Sequence, residues 1–358
     1  MKTGILTFHR AHNYGAVLQC YALQETLKRM GHDVQVIDYR QPWVEEFYKI
    51  FSMRLFCSAG SFCDRMAYAR KNLKKFLLAP FRSRNFSMFR VNYLDISLPC
   101  GKDIPHDFDC YVIGSDQLWS LHCLGGEDDD IYYGKFRRKP GTLLVGYAIS
   151  ADRKSVEEIS AELPLIVSRF DALSMREKET ADYVSSVSGR FCDRCVDPTL
   201  LTDGRLWDPL INDRWKNRKY VLVYEVRWKK EDKGLLSRKA AMLAKSLGEG
   251  YEVIDLSRVN RSVTDFVSLF RYASYVVTTS FHGCVFSILF ERPFNAFPLW
   301  DGYDARYREL LCSLGLSDRI VEKEQDLVPE PIDYDAVKKP LEELRRSSFS
   351  YLEKWIGK

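Results

Sequence analysis

The sequence lacks long apolar runs, metal-ligand spacings and any strong excess of charge. No stretch approaches the ~18 apolar residues that are typical of a membrane-spanning helix. The net charge is only +4, and the ten cysteines include a single C-x-x-C pair, Cys192 and Cys195, without a second pair at zinc-site spacing. The isolated glycines at 4, 15 and 31 do not form a dinucleotide-binding fingerprint. We therefore expect no metal, no cofactor and no nucleic-acid partner, whereas a small anionic ligand suits the charge.

We also expect no secretion signal, because "MKTGILTF" has the pattern of a β-strand and not that of a signal peptide. We interpret most cysteines as free thiols and expect a cytoplasmic protein. Residues 65–90 hold eight Lys or Arg and no Asp or Glu, with aromatic and aliphatic residues between them. This pattern is typical of a solvated basic helix. It also fits a helix that lies against anionic lipid headgroups, which would place the protein peripherally at the inner face of the membrane.

Strands and helices alternate from the start of the chain. Residues 3–8 form a short apolar run, residues 14–31 repeat apolar residues at helical spacing and end at a glycine, and "HDVQVIDY" is a second strand. This βαβ unit predicts a parallel sheet. The alternation resumes after residues 203–218, a polar segment that contains a proline. We therefore predict two α/β domains, residues 1–205 and 206–358.

Parallel α/β sheets bind their ligands at the carboxyl ends of the strands, in the loops that lead into helices. Asn13 and Tyr14 follow the first strand, and Asp116 and Gln117 follow "CYVIG". The spacing allows Asp116 to cap a helix, and its carboxylate would also suit a general base. We expect these loops to face one cleft between the domains, together with the turn at residues 280–283.

The turn "TTSFHG" precedes an apolar helix and contains Ser280, Phe281, His282 and Gly283. A helix N-terminus stabilises an anion, and a glycine there allows the ligand to approach the backbone closely. His282 would add a charge-assisted hydrogen bond or transfer a proton. A purely structural histidine at the end of a strand fits the same pattern, so both interpretations stay open at this point.

Arg176 follows a short apolar segment and stands at a helix start, where a basic residue opposes the helix dipole. It is either held there for an anion or is an ordinary surface arginine.

Six segments of the chain occur together in a characteristic order. They are residues 4–40, 109–119, 174–179, 197–201, 275–294 ("YVVTTSFHGCVFSILFERPF") and 310–321. In this combination the chain resembles the polysaccharide pyruvyl transferase family over nearly its whole length. The resemblance implies two Rossmann-like domains in a glycosyltransferase-B-like pair with the active site in the interdomain cleft. The N-terminal domain would hold the acceptor and the C-terminal domain phosphoenolpyruvate.

The resemblance also implies roles for single residues. His282 and Arg176 match positions that contact phosphoenolpyruvate in family members. Some members carry an arginine shortly before this histidine, where the present chain has Ser280 and Phe281. Part of the anion binding must therefore come from elsewhere, and Arg306 in "DGYDARYRELL" is our candidate.

The expected reaction transfers the enolpyruvyl group of phosphoenolpyruvate to two hydroxyls of a sugar, giving a pyruvate ketal in surface or capsular polysaccharide. The acceptor would be galactose or a similar hexose, free or as a lipid-linked oligosaccharide. We expect His282 to act as acid and Asp116 as base, with Arg176, Arg306, Ser280, Phe281, Gly283, Asn13, Tyr14 and Gln117 in substrate contact. Two alternatives remain, a nucleotide-sugar glycosyltransferase and a non-catalytic anion-binding protein of a polysaccharide assembly system.

Overall fold

The computed structural model describes residues 1–48, 61–226, 232, 234–256, 261–300 and 304–357, with side chains at 63–66 and 81–93 in the helix that crosses residues 62–93. The chain divides into two compact units, Met1–Arg194 and Cys195–Lys358. Each unit contains a parallel sheet with helices between its strands. The predicted α/β class with two Rossmann-like halves is therefore confirmed.

The first unit contains a six-stranded sheet in the order β2-β1-β3-β4-β5-β6, and all its pairings are parallel. Its strands are β1 (Lys2–Leu6), β2 (Asp33–Val36), β3 (Cys110–Ile113), β4 (Leu143–Ile149), β5 (Ala172–Met175) and β6 (Asp193–Arg194). The residues of β3 are fully buried apolar side chains, as expected for a central parallel strand that is covered on both faces.

The described helices of this unit connect the strands. They are α1 (Tyr14–Arg29), α2 (Pro42–Tyr48), α3 (Phe62–Tyr93), α4 (Arg153–Glu158), α5 (Leu163–Ser168) and α6 (Lys178–Ser188). Helix α1 begins where the Asn13 side chain accepts hydrogen bonds from the Gly15 and Ala16 amides, and it stops before Gly31, whose φ of 84° lies in the left-handed region. The predicted glycine stop is therefore present.

The second unit contains a four-stranded parallel sheet in the order β10-β9-β7-β8. Its strands are β7 (Tyr220–Tyr224), β8 (Glu252–Asp255), β9 (Tyr275–Thr278) and β10 (Phe294–Ala296). Its described helices are α7 (Pro198–Leu201), α8 (Leu235–Leu247), α9 (Val263–Tyr272), α10 (Phe281–Leu289), α11 (Ala305–Ser313) and α12 (Tyr334–Ile356). If the strands are numbered from the first strand of each unit, both sheets contain the strand order 2-1-3-4. The order of the strands therefore reverses direction between the first and third strands of each unit.

The first unit ends earlier than the predicted boundary at residue 205. The Arg345 guanidinium of α12 donates hydrogen bonds to the Leu200 and Thr202 carbonyls, which fastens α7 to the second unit. The segment at 203–218 reads as polar in the sequence, but its two tryptophans, Trp207 and Trp215, are buried within the second unit. The ring of Trp207 packs edge-on against Phe286 of α10. These contacts place the segment inside the second unit.

The basic segment at 65–90 forms most of α3, but its C-terminal part is not simply solvated. Phe86 is fully buried, and Phe89 and Arg90 are 3% and 7% exposed. The side chains at 67–80, on which the interpretation as a lipid-facing helix largely depends, lie outside the described residues. Within the described parts of the chain, no helix combines the length and the apolar character needed to cross a membrane.

Candidate functional site

The turn around His282 lies at the carboxyl edge of the second sheet, where that sheet changes direction. β9 ends at Thr278, Ser280 takes the extended conformation of an N-cap, and α10 begins at Phe281. From β7 the chain continues to β8 on one side of the sheet, and then crosses to β9 and β10 on the other side. The turn after β9 therefore lies at the topological switch point between β7 and β9. Open α/β sheets bind ligands at this point.

His282 has a buried acidic neighbour. Its side chain is 12% exposed, and Nε2 lies 3.6 Å from Oδ2 of Asp197, whose side chain is fully buried. The other carboxylate oxygen of Asp197 accepts hydrogen bonds from the Thr199 amide at 3.0 Å and the Thr199 hydroxyl at 2.6 Å, which fixes the carboxylate at the start of α7. The imidazole therefore faces a fixed carboxylate.

The start of α10 is not capped by a side chain, since the Ser280 hydroxyl makes no capping hydrogen bond. The helix N-terminus therefore keeps the partial positive charge that would attract an anion. Phe281 is 7% exposed, and its ring packs edge-on against the His282 ring at 5.1 Å between centroids. Phe281 thus orients the histidine by packing and offers a ligand mainly its backbone.

The structure gives a second reason for glycine at position 283, in addition to the close approach of a ligand inferred from the sequence. A Cβ at this position would lie 2.1 Å from Oγ1 of Thr278. That hydroxyl donates to the Tyr224 carbonyl at 2.7 Å and accepts from the Ser280 amide at 3.0 Å. Glycine is therefore required because α10 starts directly against the end of β9, and this contact explains the residue without a ligand.

Arg306 is partly buried in the first turn of α11, which follows β10. The preceding Asp304 is 2% exposed, and its carboxylate accepts hydrogen bonds from the Leu299 and Trp300 amides. These hydrogen bonds hold Asp304, the residue before α11, against the end of the segment that follows β10, the strand that neighbours β9.

In the first unit, the residues expected to contact substrate lie in loops at the carboxyl edge of the six-stranded sheet. Asn13 uses its side-chain oxygen to cap α1, and Tyr14 is buried with its ring 5.2 Å from that of Phe86. Both side chains thus have structural partners, and their part in substrate contact stays a prediction.

Asp116 follows β3 and has a φ of 83°, in the left-handed region that non-glycine residues seldom adopt. It does not cap a helix, which corrects the capping interpretation. Its Oδ1 accepts from the Gln117 amide at 2.9 Å, and its carbonyl accepts from the Ser150 and Leu118 amides. Asp116 and Asn13 flank the switch point of the first sheet, between β1 and β3.

Gln117 is partly buried beside Asp116, and its side-chain oxygen lies 3.5 Å from Sγ of Cys123, a long thiol hydrogen bond.

Arg176 is buried rather than being a surface arginine. Its side chain is 4% exposed, and Nε lies 3.3 Å from Oε1 of Glu177, whose side chain is 9% exposed. The same carboxylate oxygen accepts from the Ser150 hydroxyl at 2.7 Å. The ion pair stands directly after β5, at the start of α6. A guanidinium that is buried and held by a neighbouring carboxylate is better suited to binding an anion than to contacting solvent.

A second ionic network, not expected from the sequence, lies after β1 and β2. The buried carboxylate of Asp38 meets His9 Nε2 at 2.9 Å and Arg10 Nη1 at 2.8 Å. Burial raises the pKa of Asp38, but the hydrogen bond and charge of His9 and the charge of Arg10 outweigh it and hold the pKa at about 2. Nε of Arg10 also donates to Glu45 at 2.6 Å. The loop after β1 is thus fixed by charge.

The described residues contain no group of three or more His, Cys, Asp or Glu side chains that could hold a metal ion.

The sequence profile of the family described as polysaccharide pyruvyl transferase matches residues 13–300. The chain belongs to this family. The match covers both units, including the turns that carry Asp116, Arg176 and His282. The predicted family is therefore confirmed.

Other comparisons are more distant. No curated protein matches the sequence. Among solved structures, UDP-GlcNAc 2-epimerase from Neisseria meningitidis is 10% identical, with 96% of this chain and 99% of that chain covered and a TM-score of 0.38. The putative UDP-N-acetylglucosamine 2-epimerase from Listeria monocytogenes is 9% identical, with coverages of 99% and 91% and a TM-score of 0.45. The heptosyltransferase WaaC from E. coli is 12% identical, with coverages of 96% and 99% and a TM-score of 0.36.

The pyruvyl transferase contains two candidate residues that sequence reasoning missed, Asp197 behind His282 and Glu177 behind Arg176. Asp197 opens the segment "DPTLL", which contributed to the family resemblance, so its position was visible but its partner was not. Glu177 directly follows Arg176, and this adjacent opposite charge was the sequence signal for an ion pair. His282 and Arg176 therefore each have a buried carboxylate beside them.

Proposed function

We propose that this pyruvyl transferase moves the enolpyruvyl group of phosphoenolpyruvate onto two hydroxyls of a sugar, giving a 4,6-ketal on galactose or a similar hexose of a surface or capsular polysaccharide. The observation that carries the proposal is His282, which stands on an uncapped helix N-terminus at a switch point with the buried Asp197 carboxylate 3.6 Å away. This arrangement combines an anion site with a proton donor.

On the donor side, the start of α10 would bind the phosphate of phosphoenolpyruvate, and Arg306 and Arg176 would neutralise its phosphate and carboxylate charges. No resident cofactor is part of the proposal, since phosphoenolpyruvate is itself a substrate. His282 would supply the proton, with the buried Asp197 carboxylate 3.6 Å from its Nε2. Phosphoenolpyruvate would thus bind mainly to the second unit.

The bonds and protons of the proposed reaction balance without a further reactant. C3 of phosphoenolpyruvate gains the proton from His282, which gives C2 oxocarbenium character. One sugar hydroxyl adds to C2 and loses its proton to Asp116, and the C2–O bond to phosphate breaks. The second hydroxyl then adds to C2, and its proton leaves with phosphate or solvent. The products are the cyclic ketal and inorganic phosphate.

On the acceptor side, Asp116 is a suitable base because its left-handed backbone places a carboxylate at the switch point of the first sheet. Asn13, Tyr14 and Gln117 lie in the same edge loops. The acceptor would therefore bind mainly to the first unit.

The test gives purified protein phosphoenolpyruvate and a panel of hexoses and lipid-linked oligosaccharides, and measures phosphate release and the mass of the pyruvate ketal. His282→Ala should lower the rate ~100-fold or more, the usual loss for a general acid or base. His106→Ala, at an exposed histidine of the first unit, is the matched control and should keep full activity. Full turnover by His282→Ala would contradict the role given to His282.

The alternatives predict different results in the same samples. A nucleotide-sugar glycosyltransferase would be stabilised against heat by nucleotide sugars in preference to phosphoenolpyruvate. A non-catalytic member would be stabilised by phosphoenolpyruvate without releasing phosphate against any acceptor.

Peripheral membrane contact through residues 65–90 forms part of the proposal, with a cytoplasmic location. Eight basic and no acidic residues in this range favour attraction to anionic headgroups. Co-sedimentation with phosphatidylglycerol vesicles at low salt is the expected result, lost when the lysines and arginines between residues 65 and 75 are changed to glutamine. Absence of the protein from the vesicle pellet would remove the membrane contact.

A further inference from the structure

A cluster of arginines lies beside the switch point of the first sheet and contains more cations than its carboxylates neutralise. We define this arginine cluster as Arg10, Arg40, Arg82 and Arg90. Arg10 pairs with Asp38 and Glu45, and Nε of Arg40 lies 3.6 Å from Asp38. These two carboxylates are thus committed to the two arginines of the loops after β1 and β2.

Arg90 is the unusual member. It is 7% exposed on α3, and it donates from Nη2 to the Ser87 hydroxyl at 3.0 Å. Its Nη1 is buried and has no hydrogen-bond partner among the residues that the structure describes. Burial and the nearby charge of Arg10 lower the pKa of Arg90 to about 10. A buried guanidinium without a carboxylate is costly unless an anion completes its environment.

Arg82 lies on the same helix, α3, two turns before Arg90. Its Nη2 donates to the His12 carbonyl at 2.7 Å, and no ion pair to a described carboxylate holds it. The His12 ring stacks on Phe86, between Arg82 and Arg90 on the helix, with centroids 5.4 Å apart and planes 11° apart. Burial, together with the charges of Arg90 and Arg82, lowers the pKa of His12 to about 4. Arg82 and Arg90 thus surround the same loop with positive charge.

Tyr48 lies beside this positive region. Its ring lies 5.2 Å from the His12 ring. Burial raises the pKa of Tyr48 to about 12, with Arg82 lowering it and Asp116 raising it among the nearby charges. The surplus positive charge therefore lies in the first unit, on the acceptor side of the proposed reaction.

We propose that Arg90 and Arg82 bind a phosphoryl group carried by the sugar acceptor, so that the acceptor is a glycosyl phosphate or diphosphate rather than a neutral sugar. Arginine suits this role because its planar fork binds two phosphate oxygens at once. The inference rests on the proposed function, since it takes the first unit as the acceptor side. It adds the chemical class of the acceptor.

The test measures binding by calorimetry with galactose, galactose 1-phosphate, N-acetylglucosamine 1-phosphate and inorganic phosphate, and then measures pyruvylation of the same sugars. For the unaltered protein, the sugar phosphates should bind at least ~10-fold more tightly than the parent sugars and have a correspondingly lower KM. Arg90→Met should abolish this difference. Arg84→Met, at an exposed arginine of the same helix, is the control with the same change of charge and should keep it.

Thermal unfolding separates a binding role from a structural one. Replacing a buried, unpaired guanidinium by an apolar side chain should leave Tm unchanged or raise it. Galactose 1-phosphate should raise Tm of the unaltered protein and of Arg84→Met, but not of Arg90→Met. A large fall in Tm for Arg90→Met without ligand would overturn the proposal, because Arg90 would then be structural.

The remaining outcomes are also decisive. Equal affinity for the sugars and their phosphates would overturn the inference. So would tighter binding of inorganic phosphate alone than of any sugar phosphate, Arg90-dependent binding only to phosphatidylglycerol vesicles, or weaker binding of phosphoenolpyruvate to Arg90→Met. Arg90-dependent binding of a sugar phosphate without any pyruvylation would support the anion site and contradict the proposed function instead.

Discussion

Replacing Asp197 by asparagine isolates the charge beside His282. The side-chain oxygen that accepts from the Thr199 amide and hydroxyl is retained in asparagine, and the two residues are nearly equal as helix caps. Only the oxygen 3.6 Å from His282 Nε2 is exchanged for an uncharged amide. We therefore expect the free energy of unfolding to change by less than about 1 kcal/mol.

The effect on catalysis should be much larger. At 3.6 Å and an effective dielectric constant near 20, a unit charge pair is worth about 5 kcal/mol. Protein and solvent relaxation would recover part of this loss. Since about 1.4 kcal/mol corresponds to a factor of ten in rate, we expect kcat to fall ~100-fold or more. KM for phosphoenolpyruvate should change little, because Asp197 acts through His282 rather than on the phosphate.

The assay is continuous phosphate release, with kcat and KM determined separately and Tm measured on the same samples. Asp203→Asn is the matched control, because Asp203 also caps a helical turn through its side chain but has no histidine beside it. A kcat for Asp197→Asn within ~3-fold of the unaltered protein would refute the reasoning. A loss of stability that accounts for the loss of rate would refute it equally.

Two further pairs of variants test the packing of the proposed donor site. Arg176→Ala should lower the free energy of unfolding by about 3–5 kcal/mol, because it leaves the Glu177 carboxylate buried and unpaired, and adding Glu177→Gln should restore most of it in urea titrations. Both variants should bind phosphoenolpyruvate more weakly by calorimetry, and unchanged affinity would remove Arg176 from the site. Gly283→Ala should cost about 1–3 kcal/mol by overpacking against Thr278, with part recovered in a Thr278→Ala background. Gly101→Ala meets no atom within 4 Å and should change little, so equal losses at the two glycines would contradict the packing argument.

The strands that carry the site could be predicted from the sequence because they are buried on both faces and read as apolar runs. β3 and β9 are such strands, and the polar residues that follow them mark the carboxyl edge directly. β5 gave a weaker signal because its four residues include Ser174, which is buried through a hydrogen bond to the Gly146 carbonyl. β6 has only two residues, both charged and partly buried, which is too short for a periodic pattern.

The charges beside the site residues were not predictable for a different reason. Asp197 and His282 are far apart in the sequence, and their approach depends on how α7 packs within the second unit. The buried state of Arg90 has the same origin, because α3 reads as a basic surface helix until its last turns pack against α1. Apolar patterns are local in sequence, whereas the pairing of buried charges is a property of the assembled fold.

The two units share a winding order but differ in the charge at their switch points. In the second unit, a helix N-terminus and His282 stand before one buried carboxylate, which suits a donor whose proton and phosphate must both be handled. In the first unit, Asp116 follows β3, and neither Arg82 nor Arg90 of α3 forms an ion pair with a described carboxylate. A ketal-forming transfer needs a base where the sugar hydroxyls lie. The arginines proposed to hold an acceptor phosphate therefore belong to the same unit as the proposed base, so loss of Arg90 should impair acceptor binding.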